Sequence, residues 1–70
     1  MKKLSSIEEY YELYKIVSEA QDGLNGEYNP GVHYNLAWIL RGYGVVITDR
    51  ADTVRQGKNL LSRFEKENFQ

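Results

Sequence analysis

Residues 45–47 form the run of this sequence that most strongly favours a β-strand, and it limits the folds open to the chain. Val45, Val46 and Ile47 are β-branched and follow one another without a polar break. A sheet needs a second segment to pair with, and we find no other run with an alternating pattern. The sequence therefore predicts an all-α fold in which residues 45–47 are a short extended joint.

A first helix is predicted over residues 5–22. Ser5 and Ser6 each precede a glutamate by three positions, which is the pattern of a reciprocal cap at a helix start. Glycine and asparagine after residue 21 favour the end of the helix. The apolar side chains of this helix cover more than half of a helical wheel, which is too wide a face for one neighbouring helix.

A second helix is predicted over residues 30–41. Asn29 is a favourable N-cap, and Pro30 suits the first helical position because its missing N–H needs no partner there. Apolar residues lie nearly all round this helix. Such a helix is usually buried between neighbours, so we expect it at the centre of the domain.

A third helix is predicted over residues 49–67, capped by Thr48 or Asp49. Gly57 lies among its apolar positions, where glycine costs about 1 kcal/mol, and this predicts the close approach of another helix. We therefore expect residues 1–70 to form a single compact three-helix domain, with the extended joint at residues 45–47 between helices 2 and 3. Packing of Val45 and Ile47, or of Val46, is expected to hold the joint in place.

The residue types required for most catalytic and metal sites are missing. The chain has no cysteine and one histidine, so a zinc site at His33 would need three carboxylate ligands. His33 itself is expected to be a core or edge residue that hydrogen-bonds to the backbone or to a tyrosine. A 70-residue domain also has little room for a sizeable cleft, and no triad pattern is present. We expect a protein that is not an enzyme and binds neither metal nor cofactor.

Tyrosine is the residue type that points to a function. Six tyrosines in 70 residues exceed the needs of a small core, and tyrosine is enriched at protein interfaces. The alternative is that they only cover the edges of a thin core. We predict a protein-binding surface, in a chain able to form a homodimer, and chains of this size are often regulators or phage-encoded inhibitors of a host macromolecule. The residues predicted for this surface are Ile7, Tyr10, Tyr11, Tyr14 and Tyr43.

The joint offers a second route to a homodimer. Residues 45–47 could pair with their own copy across a two-fold axis, because an extended segment has free backbone hydrogen-bonding groups. The run is short for a strand, which favours a packed connector instead.

Helix 3 supports an alternative function. Residues 1–30 contain three basic and six acidic side chains, whereas residues 31–70 contain six basic and four acidic ones. One polar arc of helix 3 has the residue types that contact phosphates and base edges, although a solvated face is the commoner explanation. The segment ADTVRQGKNLL, residues 51–61, resembles the recognition helix of a helix-turn-helix, which would imply nucleic-acid binding. The residues predicted for that alternative are Arg55, Lys58, Asn59, Arg63 and Lys66.

Membrane association is not predicted. No apolar run approaches the roughly 18 residues that a membrane-spanning helix requires. The net charge of −1 gives no general attraction to an anionic membrane surface. We therefore expect a cytoplasmic protein whose partner is another protein or, in the alternative, a nucleic acid.

Overall fold

The computed structural model describes residues 3–26 and 29–69, and the other positions of the predicted domain 1–70 lie outside this description. The described residues form three helices: α1 (Ile7–Asn25), α2 (Pro30–Gly42) and α3 (Arg50–Asn68). The predicted all-α fold is therefore confirmed, with boundaries within three residues of those expected. The extended joint between α2 and α3 is also present.

The helix starts follow the capping signals in the sequence. Ser6, rather than Ser5, caps α1, and its Oγ accepts a hydrogen bond from the N–H of Glu9 at 3.0 Å. Asn29 caps α2 through its side-chain oxygen, with Pro30 in the first turn. Asp49 caps α3 and accepts from the N–H of Asp52 at 2.8 Å. Each cap satisfies a helix N–H that has no partner within the helix.

Helices α1 and α3 run antiparallel. The ring of Tyr10, near the start of α1, stacks on Phe64, near the end of α3, with centroids 4.9 Å apart. Farther along, Val17 lies against Gly57, where an added Cβ would come within 2.6 Å of Val17 Cγ2. This close approach explains why glycine stands in the middle of α3. It agrees with the packing role predicted for Gly57.

Helix α2 is antiparallel to α1 and therefore parallel to α3. The start of α2 lies at the end of α1, because the imidazole of His33 borders Gly23. The end of α2 lies at the start of α1, because the Tyr43 hydroxyl donates a hydrogen bond to Glu9. Parallel neighbours need a connection that returns along the whole bundle.

Residues 43–49 make that return. An extended chain covers about 3.3 Å per residue, so these residues span about 23 Å, whereas α2 is about 20 Å long at 1.5 Å per residue. Val45 and Ile47 are half-buried, whereas Val46 and Thr48 are exposed. This alternation is the period of an extended strand. The expected packing of Val45 and Ile47 is thus found, and the joint lies alongside α2.

The core is formed by buried side chains of all three helices and by Leu4, which precedes α1, and the three helices contact one another pairwise. Leu13, Leu36 and Leu40 are its largest fully buried members. The remaining apolar core residues are Leu4, Tyr10, Val17, Ala20, Val54, Leu61 and Phe64.

One prediction about the packing is wrong. Helix α2 was expected to lie buried between neighbours at the centre of the domain, but Tyr34 and Trp38 are 73% and 66% exposed. The face that carries His33, Leu36 and Leu40 packs against α1 and α3, so among the described residues the joint is what lines the opposite face. The joint is too narrow to shelter two large aromatic rings.

Candidate functional site

The exposed side of α2 and the joint form a groove, which we call the α2 groove. Tyr34, Trp38 and Arg41 are spaced at i, i+4 and i+7 and therefore lie along one side of the helix. The joint closes the other side of the groove. The volume is about 420 Å³, and the lining residues are Tyr34, Ala37, Trp38, Arg41, Val46 and Ile47.

Large apolar side chains in the groove are exposed to an unusual degree. Val46 is 84% exposed, which is the highest value among the exposed large apolar residues that the structure describes. Scattered single apolar residues are normal on a surface, but a contiguous apolar patch usually marks a binding site. Tyr34, Trp38 and Val46 meet in one groove and therefore form such a patch.

The groove is positively charged. Arg41 is exposed, and it is the charged member of the lining, in which the structure places no acidic side chain. Among the described residues Arg41 makes no ion pair. Tryptophan, tyrosine and arginine are the residue types most enriched at the energetically dominant positions of protein interfaces.

The joint is fixed at both of its ends. At one end the N–H of Val45 donates to the carbonyl oxygen of Leu40 at 3.1 Å. At the other end the N–H of Thr48 donates to Asp52 Oδ2 at 3.2 Å. This hydrogen bond, together with the guanidinium of Arg55, lowers the pKa of the Asp52 carboxyl, and the burial of that carboxyl opposes the shift. The groove therefore has a fixed wall.

Tyr10, which was predicted to contribute to a protein interface, lies in the core. It is 5% exposed, and its hydroxyl donates a hydrogen bond to Glu65 Oε2 at 2.6 Å. That hydrogen bond, followed by burial and by the negative charge of Glu65, raises the pKa of Tyr10 to about 12. The rings of Phe64 and Phe69 contact it. Tyr10 therefore serves packing within one chain.

The other predicted interface residues divide into two groups. Ile7, Tyr11 and Tyr14 lie at i, i+4 and i+7 on α1 and are exposed, forming what we call the α1 stripe. Tyr43 is half-buried instead, with its hydroxyl 3.3 Å from Glu9 Oε2. The α1 stripe is therefore exposed on the surface, whereas Tyr43 lies at the contact between α1 and the end of α2.

The predicted nucleic-acid residues are all exposed on α3, but two of them have intramolecular partners. Arg55 forms an ion pair with Asp52, and Lys58 donates a hydrogen bond to the side-chain oxygen of Gln21 at 2.6 Å. The exposed members of this face are Arg55, Lys58, Asn59, Arg63 and Lys66. The return of residues 43–49 along α2 also differs from the 3–4-residue turn of a helix-turn-helix, whose two helices cross at about 90–120°.

His33 lies in the core, 5% exposed, at the contact between α2 and Gly23 of α1. The described part of the chain contains no group of three or more histidine, cysteine, aspartate or glutamate residues placed to hold a metal ion. None of its helices is long and apolar enough to cross a membrane.

Sequence reasoning missed Tyr34, Trp38, Arg41 and Val46 as a group. A signal was available in the i, i+4, i+7 spacing of three residue types that dominate interface energetics. The contribution of Val46 had no such signal, because it depends on the path of the joint.

Comparisons with protein families, with curated proteins and with solved structures gave no match to this chain. The functional conclusion therefore depends on the geometry of the α2 groove and of the two other exposed surfaces.

Proposed function

We propose that this chain is a non-enzymatic binding protein, a small regulator or inhibitor that contacts another protein through the α2 groove. The exposure of Trp38 beside Tyr34 carries the proposal. Burying a large apolar side chain contributes about 1.5–3 kcal/mol, and the described part of the chain leaves these two rings mostly exposed. A partner that covers them gains this free energy.

The α2 groove is a better candidate than the α1 stripe, although both are aromatic. The groove is concave and has walls from two segments, whereas the stripe lies on one helix. The groove also contains a tryptophan and an arginine, two of the three residue types most enriched at interface hot spots. For the α1 stripe we propose a separate role, which is self-association of the chain to a homodimer.

The test is affinity capture from the native cell or its host, with mass spectrometry and nuclease treatment. Wild-type protein should capture a partner that the Trp38→Ala variant loses, because the indole supplies much of the buried apolar surface. A Tyr11→Ala, Tyr14→Ala double variant is the matched control and should retain the partner. Capture that is unchanged by Trp38→Ala and lost in the double variant would move the function to the α1 stripe.

Homodimer formation is tested separately by sedimentation at micromolar concentration. If the α1 stripe associates with its own copy, the wild type should sediment as a dimer and the Tyr11→Ala, Tyr14→Ala variant as a monomer. A wild-type monomer at all concentrations would exclude this role for the stripe.

Nucleic-acid binding through α3 is our second candidate, supported by the exposure of all five predicted residues on one helix. Binding of this kind should fall steeply with added salt, because neutralised phosphates release counterions. The double variant Arg55→Glu, Lys58→Glu should abolish it and leave capture through Trp38 intact. Nucleic-acid binding that survives this double variant, or that does not weaken with added salt, would reject the α3 candidate.

A further inference from the structure

The middle of the joint has backbone groups that form no hydrogen bond with the described residues. The N–H groups on either side of it, those of Val45 and Thr48, donate to Leu40 and Asp52. Between them, the N–H and C=O groups of Val46 and Ile47 make no hydrogen bond with any part of the chain that the structure describes. Backbone groups require a partner, either water or another polar group, so a peptide can replace water here.

We propose that the α2 groove binds a short extended peptide segment of the partner protein, with apolar side chains and one carboxylate. This inference rests on the proposed function and specifies the chemistry of the partner. Three features of the groove each define one property of the peptide: the unused backbone groups, the exposed rings and the arginine.

The unused backbone groups favour an extended segment over a helix. A helix uses its own N–H and C=O groups internally and therefore has none to offer to Val46. An extended peptide can both accept from the N–H of Val46 and donate to its C=O, which adds a strand to an exposed edge. The 84% exposure of Val46 shows that the described parts of the fold leave this residue accessible.

The rings and the arginine define the side chains of the segment. Side chains of an extended peptide alternate, so every second one would face Tyr34 and Trp38 and should be apolar. Arg41 is the charged residue that lines the groove, and no acidic side chain lies beside it in the lining. A peptide carboxylate can bind its guanidinium through two parallel hydrogen bonds.

Charge also argues against a second copy of this chain as the occupant. A copy that paired through residues 45–47 would present its own groove, which contains Arg41 and no acidic side chain in its lining. Two like charges would then face the same apolar surface, which disfavours the association. A heterologous acidic segment has the opposite sign and is favoured.

The first experiment selects binders from a random heptapeptide library displayed in many copies on phage. Wild-type protein should enrich peptides with alternating apolar residues and at least one aspartate or glutamate. Trp38→Ala should bind the corresponding synthetic peptides about tenfold more weakly or worse. Arg41→Gln should weaken the binding of these peptides about threefold. A library selected on Arg41→Glu should enrich peptides that contain lysine or arginine instead.

The second experiment measures amide hydrogen exchange by NMR on the full chain with a selected peptide bound. The Val46 amide should become at least tenfold better protected. The Val45 and Thr48 amides, which already have acceptors, are internal controls and should change less. N-methylation along the peptide should weaken binding at every second position, because those N–H groups face the joint.

The outcomes separate this inference from the proposed function. No enrichment, enrichment that ignores Trp38, or an acidic preference that persists in Arg41→Glu would overturn the inference. A helical occupant would leave the exchange rate of the Val46 amide unchanged, and N-methylation at any interior position of the peptide would weaken its binding. That pair of results would also overturn the inference. In each of these cases, cellular capture that depends on Trp38 would leave the proposed function standing.

Discussion

The two aromatic regions of this molecule have similar composition and opposite surroundings. At the contact of α1 with α3, Tyr10 stacks on Phe64 and its hydroxyl bonds to Glu65, so both ring and polar tip are satisfied inside one chain. On α2, Tyr34 and Trp38 also follow helical spacing, yet water covers most of both rings. The first region stabilises the fold, whereas the second stays exposed on the surface.

The difference arises from how each helix meets its neighbours. Helices α1 and α3 are antiparallel and approach closely at Gly57, which brings whole helix faces together. Helix α2 packs against α1 and α3 on one side. On its other side, the segment that the described residues provide is the narrow joint that returns to the start of α3. An aromatic residue is therefore buried or exposed according to which side of its helix the chain covers.

The largest effect is expected from removing the buried ring. Phe64 is 4% exposed, so Phe64→Ala should lower the free energy of unfolding by about 3–5 kcal/mol through lost burial and a cavity. A chain of this size has roughly 3–10 kcal/mol in total, so much of the population should unfold. Urea denaturation followed by circular dichroism measures this, and a loss below about 1 kcal/mol would contradict the packing described for this region.

The close approach of α1 and α3 predicts the next largest effect. Gly57→Ala places a methyl group against the stiff, buried side chain of Val17 and should lower the free energy of unfolding by about 1–3 kcal/mol. Gly42→Ala is the matched control, because nothing lies within 4 Å of its added Cβ. The same denaturation assay should show Gly42→Ala to be neutral or stabilising, and equal losses in the two variants would reject close helix contact as the cause.

The hydrogen bond of Tyr10 predicts a smaller loss. Tyr10→Phe keeps the ring but removes the donor to Glu65, and it should cost about 1 kcal/mol at neutral pH. Chemical denaturation of both proteins measures the difference. A variant as stable as the wild type would show that the hydrogen bond makes no net contribution.

The same contact predicts a dependence on alkaline pH. The folded chain holds the Tyr10 proton up to a pKa of about 12, whereas the ordinary value is 10.0. The unfolded chain therefore binds fewer protons between these values, and the free energy of unfolding falls as pH rises from 10 to 12. Tyr10→Phe should show a shallower fall over this range, and parallel curves would contradict the shifted pKa.

The smallest effect on stability is expected on α2. Trp38→Ala removes a ring that is mostly in water, so the free energy of unfolding should change by no more than about 0.5 kcal/mol. Thermal denaturation of this variant beside Phe64→Ala compares the two regions directly. A loss of several kcal/mol would mean that Trp38 is packed within the chain and that the two regions are alike.

The sequence predicts the features of this fold that depend on local chemistry. Asn29 and Pro30 predict the start of α2 correctly, because a helix cap depends only on residues next to it in the sequence. Gly57 indicated a close helix contact because a missing side chain has few other uses in a helix. The β-branched residues of the joint likewise favour extended backbone wherever they lie.

The candidate site was harder to predict because it depends on which faces meet. Tyr10 and Tyr11 are adjacent tyrosines, and only the arrival of Phe64 and Glu65 from α3 separates the buried one from the exposed one. Trp38 is exposed because α2 and α3 are parallel and the joint is narrow. Neither arrangement can be read from the residues near it.

Trp38 is the single tryptophan of the chain, so its fluorescence tests the central claim without interference. At a concentration where sedimentation shows a monomer, its emission should resemble that of free tryptophan in water and should be quenched efficiently by acrylamide. The emission should shift to shorter wavelength, with quenching reduced, when the groove is occupied. A short-wavelength, poorly quenched emission from the unliganded monomer would show that the indole is already buried and would contradict the account.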